Sequence, residues 1–203
     1  MSLLAAAGLG LGLGVITGVP LGVINVAIVD AAAARRLRHA MGLGLGGGAA
    51  DALHATLAFI GVGRLLLARP DLLRGLAAVA ATVITTYAVV AWRRHRGAPQ
   101  PTWGGPPTNS LARGIAAGAA LTLPNPGALA AWVAVATSVW PHATTVEACT
   151  IGLSVGAGSM LWFVLLARGV GRVRPDHRAL RFVPRFALGL LVAIAAVGVL
   201  RTL

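Results

Sequence analysis

Long apolar runs recur along the chain, separated by short segments that hold most of its arginines. Six runs reach the roughly 20 residues a helix needs to cross a bilayer core: Leu3–Val29, Ala40–Leu67, Leu72–Ala91, Leu111–Val139, Val146–Ala167 and Phe182–Leu200. Their apolar positions are continuous rather than alternating, which argues against barrel strands. The pattern therefore predicts an all-α polytopic membrane protein with six transmembrane helices. Residues 93–110, with Pro99, Pro101, Pro106, Pro107 and several glycines, read as a linker between two three-helix halves, 1–92 and 111–203.

Three spans per half place the second half in the membrane with opposite polarity, so an inverted repeat is expected. Gly14, Gly18 and Asn25 match Gly114, Gly118 and Asn125 at a shift of 100 residues; Gly44, Gly48 and Asp51 match Gly152, Gly156 and Ser159 at a shift of 108. Inverted three-plus-three repeats are a transporter architecture, with the substrate near the midplane and helices broken around it. The break points are visible. Pro20 stands between Gly18 and Gly22 in span one, and Pro124 and Pro126 flank Asn125 in span four. Proline removes a backbone donor and clashes with the preceding turn, which frees carbonyls and opens a helix N-terminus inside the membrane.

Composition sharpens the membrane reading. Of 203 residues 57% are apolar and 11% charged, and the mean hydropathy is +0.83. A net charge of +12 would suggest nucleic acid in a soluble chain. Here the basic residues are all arginine and cluster between spans, so they report topology and lipid headgroup contact. Arg35, Arg36 and Arg38 in loop one, Arg93, Arg94 and Arg96 in loop three, and Arg168, Arg172, Arg174, Arg178 and Arg181 in loop five predict that these loops are cytoplasmic and that both termini face out. No arginine precedes Arg35, and the first apolar run is too long for a signal peptide, so it is expected to be a retained span. The lone Cys149 excludes an internal disulfide or a CxxC site and reads as a packing residue.

Only five residues are acidic, and four of them, Asp30, Asp71, Glu147 and Asp176, sit at or near run ends. Asp51 alone lies deep within a run. On a helix Gly44, Gly48, Asp51 and Ala55 share a face, with Gly47 and His54 beside it. A carboxylate there is costly unless it meets a cavity or a partner, which marks a functional site. Deprotonated, Asp51 holds a substrate ammonium; protonated, it lets the empty carrier reorient. His54, one turn on, shares the proton. The plainer readings are a structural carboxylate, a packing histidine, ordinary proline kinks, and Gly-x3-Gly pairs serving helix contact within one protomer or between two.

The segments G-V-P-L-G-V-I-N (18–25), G-L-G-G-G-A-A-D-A-L-H-A (44–55) and L-T-L-P-N-P-G-A-L-A-A-W (121–132) resemble the LysE/RhtB family of amino-acid exporters, a member of the LysE superfamily of translocators. The resemblance implies a six-helix inner-membrane exporter of amino acids or related small metabolites, coupled to protons, with no cofactor and as a possible homodimer. Two departures concern the substrate. The family's Pro-Gly-Pro in span one is Pro20-Leu21-Gly22, and the basic residue that often follows Asn-Pro in span four is Gly127. The expected binding set is Asp51, Asn25, Asn125, Pro20, Pro124, Pro126, His54 and Gly48, with no catalytic or metal-binding residue.

Three rivals are open to test. A divalent-metal exporter would need several oxygen ligands, and one carboxylate with two asparagines is a thin set. Gly152-Leu153-Ser154-Val155-Gly156 fits the G-x-S-x-G nucleophile signature of a serine protease, but span six has no histidine to act as base. A non-transporting subunit would explain the glycine faces and leave Asp51 without a task.

Overall fold

The computed structural model describes residues 2–19, 22–62, 65, 68–95 and 109–172. Pro20, most of the proline-rich linker and the expected sixth span lie outside the described residues. Among the described residues the fold is helical and has no strand. The helices are α1 (Leu3–Gly18), α2 (Val23–Ala33), α3 (Leu37–Phe59), α4 (Pro70–His95), α5 (Leu111–Thr122), α6 (Pro126–Val139) and α7 (Thr145–Arg172).

Spans one and four are broken where proline and glycine predict it. The axes of α1 and α2 meet at 69°, and those of α5 and α6 at 72°. Among the described residues α7 alone is long and apolar enough to cross a membrane, and each bent pair qualifies if it is taken as one span. α3, with 23 residues, has the length but is less apolar, because it carries Arg38, His39, Asp51 and His54 among five glycines. Its position explains this composition. α3 packs against α2, α5, α6 and α7, so its faces meet protein where glycine serves better than leucine.

Helix ends are capped locally and across the chain. Ser2 and Ser110 accept from the amides of Ala5 and Arg113 at the starts of α1 and α5. Thr144 and Glu147 form a capping box at α7: the Thr144 amide donates to Glu147 Oε2 at 2.9 Å, and the Glu147 amide to Thr144 Oγ1 at 3.4 Å. The N-terminus of α3 is capped from afar, since Asn109 Oδ1 accepts from the amides of Arg38 (2.8 Å) and His39 (3.2 Å). α3 stops at Phe59, short of the expected Leu67. Gly61 takes φ +85, a left-handed conformation that ends the helix.

The helices dock through glycines that admit a neighbour's backbone. Gly158 of α7 faces Leu11 O and Val15 N of α1, and Gly46 of α3 faces Ile115 O and Ala119 N of α5. Gly14 of α1 faces Val155 O and Ser159 N, while Gly118 of α5 faces Leu43 O and Gly47 N. The two docking patterns correspond residue for residue. A shift of 104 carries Leu11, Gly14 and Val15 onto Ile115, Gly118 and Ala119; a shift of 112 carries Leu43, Gly46 and Gly47 onto Val155, Gly158 and Ser159.

These registers lie four residues, about one helical turn, from the sequence matches. The expected pairing of Asn25 with Asn125 belongs to the sequence register and not to this docking register. Extended along the sequence, the docking shift of 104 aligns Pro20 with Pro124 and Asn25 with Leu129. Ser159 likewise corresponds to Gly47 rather than to Asp51.

Among the described residues two apolar clusters form the core. One gathers α2 with Ala40 and Leu43 of α3, Leu121 of α5, and Phe163 and Ala167 of α7. The other gathers Ala6 of α1, Ala55 and Phe59 of α3, Trp132 and Ala136 of α6, and Ile151 and Val155 of α7. Each bent pair thus sends one half-helix into each cluster. Along α3 and α7 the stretch between the clusters holds Asp51 and Ser159.

Candidate functional site

The site is the polar layer between these clusters. α3 and α7 cross closely at Gly48 and Gly156: a Cβ on Gly48 would stand 3.0 Å from Gly156 O, and one on Gly156 2.9 Å from Gly48 O. That approach brings the next turn of α3 against α7. Asp51 is half-buried there, with the Ser159 hydroxyl of α7 and the Trp132 indole N–H of α6 as the side-chain donors facing its carboxylate. Asp51 is not the most enclosed acid. Asp30 is only 6% exposed, paired with Arg36 at 3.4 Å between α2 and α3. A paired, enclosed Asp30 reads as structural, whereas a partly buried Asp51 can meet a ligand or a proton.

His54, 4% exposed, turns to the break in span four, where its Nε2 lies 3.1 Å from Leu123 O. A carbonyl can only accept, so Nε2 carries the hydrogen. Leu123 caps α5, and Gly127, whose amide would have bonded to it in a continuous helix, donates instead to Asn125 Oδ1 at 3.0 Å. Asn125 also accepts from Ala128 N at 3.4 Å, so it caps α6, which starts with Pro126 at its first position.

At the other break the 3%-exposed Asn25 reaches back seven residues, and its Nδ2 donates to Gly18 O at 2.9 Å. Its Oδ1 accepts from Trp162 Nε1 at 3.3 Å. Freed carbonyls, expected from the prolines, are thus taken up by buried side-chain N–H groups: Asn25 for span one, His54 for span four.

Of the expected set, Asp51, His54, Asn125, Pro124 and Pro126 gather around the second break, and Gly48 supplies the close crossing beside them. Asn25 belongs to the first break, and Pro20 lies outside the described residues. Sequence reasoning missed Trp132, Trp162 and the placing of Ser159 on the side of α7 that faces Asp51. An indole N–H within an apolar run was the available signal, since a buried indole usually finds an acceptor. Ser154, of the G-x-S-x-G signature, packs against Gly10 of α1, while His54 is committed to Leu123.

A family model described as LysE type translocator matches residues 15–202, nearly the whole chain. The chain belongs to this LysE translocator family. Neither the comparison with curated proteins nor that with solved structures gave a match. LysE family membership makes the protein a membrane exporter in general terms, in a family of transporters rather than enzymes. The matched residues include both helix breaks and the Asp51 layer, and begin within α1.

Proposed function

We propose that this LysE family protein is a secondary active exporter of amino acids or related small metabolites, coupled to protons, working by alternating access around the Asp51 layer. One observation carries the reading. The partly buried Asp51 lies between two apolar clusters, one turn from a second titratable group, His54, which holds the Leu123 carbonyl at a helix break. Asp51 is the site for a proton or a substrate ammonium, the two binding in turn. Asn25, Asn125, Pro124 and Pro126 hold the described sides of the two breaks, and polar substrate groups compete for the same backbone.

Six spans in two inverted three-helix halves fit this mechanism. The matched docking of α1 with α7 and of α5 with α3, together with bends of 69° and 72°, supports that architecture. Rocking one half against the other would expose the layer to each side in turn. The arginines of loops one, three and five favour the inner membrane with both termini outside.

Growth of an export-deficient host on dipeptides tests the substrate class. Cells lacking the protein should accumulate one or a few amino acids, and its expression should lower that pool. Relief of manganese or cadmium stress, with amino-acid pools unchanged, would favour the divalent-cation reading instead.

A further inference from the structure

We propose that Ser159 transmits protonation of Asp51 to α1, its one hydroxyl hydrogen being claimed alternately by the Asp51 carboxylate and by the Gly14 carbonyl. The inference rests on the reading of Asp51 as the proton site. Ser159 is 0% exposed, its Oγ lies 3.3 Å from Gly14 O, and its side chain also faces Asp51. A serine hydroxyl has one hydrogen to give and lone pairs that accept. It therefore cannot donate fully to both neighbours.

The charge on Asp51 decides between them. An ionised carboxylate only accepts, and its charge-assisted bond outcompetes a neutral carbonyl, so the Ser159 hydrogen turns to Asp51. When Asp51 takes one proton from the water, its new O–H donates to Ser159 Oγ. The Ser159 hydrogen then returns to Gly14 O. One proton enters, the Asp51–Ser159 hydrogen bond reverses direction, and one new bond forms from the Ser159 hydroxyl to Gly14 O of α1. The resulting chain Asp51→Ser159→Gly14 clasps α3, α7 and α1 together.

The clasp falls where it can act. Gly14 is the position at which α1 lies against Val155 O and Ser159 N of α7, one turn before α1 ends at Gly18. Tightening or releasing it biases the half-helix that leads into the first break. Trp132 donates only, so it faces the carboxylate in both states and does not switch.

Other ionisable groups stand apart from the switch. α1 and α6 carry none. On α7, Glu147, Cys149, Arg168 and Arg172 lie toward its ends; on α5, Arg113 lies at its start. Asp30 of α2 is paired with Arg36, and His54, on α3 itself, is bonded to Leu123.

Deuterium exchange of the α1 amides, measured on the full chain in nanodiscs over a pH series and corrected for intrinsic exchange, tests the proposal. In the unaltered protein, acidification should slow α1 exchange by about three- to tenfold, the size of one net hydrogen bond. Asp51→Asn, always neutral and able to donate, should show slow exchange at every pH. Ser159→Ala should show fast exchange at every pH, and Ser159→Cys, a weaker donor of similar size, a reduced pH response. A pH response that survives Ser159→Ala overturns the role of Ser159. One that survives Asp51→Asn overturns the reading of Asp51 itself, and a pH-independent unaltered protein overturns the switch.

Discussion

The two broken spans bend almost equally, 69° and 72°, yet their breaks are held by different chemistry. In span one the repair comes from within: Asn25, three residues into α2, reaches back to Gly18 O and is itself fixed by Trp162 of α7. In span four the N-terminal side is closed by Asn125 on its own helix, but the carbonyl side is closed by His54 of α3. The first break is therefore a neutral amide clasp. The second is held by a titratable ring one turn from a partly buried carboxylate. Matched geometry with unmatched chemistry teaches that both spans are built to bend, while titratable side chains stand beside only one of the two described breaks.

The widest test of this comparison is to crowd the two docking faces in turn. Gly158→Leu between α7 and α1, and Gly46→Leu between α3 and α5, should each destabilise the detergent-solubilised protein by about 3 kcal/mol or more in thermal or denaturant unfolding. The two costs should be similar, because a Cβ at Gly158 would meet Val15 N at 3.0 Å and one at Gly46 would meet Ala119 N at 2.8 Å. Tolerance at one face alone would break the correspondence of the halves.

Removing the carbonyl partners should separate the two breaks. Asn25→Ala orphans Gly18 O and the Trp162 N–H, so a loss of about 2–4 kcal/mol is expected with little pH dependence. His54→Ala orphans Leu123 O alone and should cost about 1–3 kcal/mol. It should also alter the pH profile of transport, which Asn25→Ala should not. Smaller still is Asn125→Ala, a lost N-cap worth about 1 kcal/mol, with Asn125→Ser restoring most of it. Asp71→Ala serves as the floor. Its 3.4 Å pair with Arg74 is almost fully exposed, and no measurable change in unfolding is expected.

Much of this was legible in the chain. Proline and glycine at 18–22 and 124–126 announced both breaks, because ring sterics act within a turn of the residue itself. The bounds of α5 and α6 together reproduce the expected fourth span, and the glycine faces of α3 and α7 meet as their spacing implied. The docking register was not legible, since glycine recurs every few residues and shifts of 100 and 104 both align some of it. Which groups satisfy the freed carbonyls was hidden for another reason. His54 and Leu123, or Trp162 and Asn25, are distant in sequence, and only tertiary packing brings them together. The same holds for Asn109, whose capping of α3 leaves no local signature.

The central claim is that Asp51, the carboxylate of the polar layer, couples export to protons. Proteoliposomes containing the full chain, loaded with the amino acid identified by the dipeptide screen and exposed to an imposed pH gradient, test it most directly. The unaltered protein should accelerate efflux when the gradient is applied. Asp51→Asn should lose that acceleration while retaining its fold. Gradient-driven efflux that persists undiminished in Asp51→Asn would contradict the account.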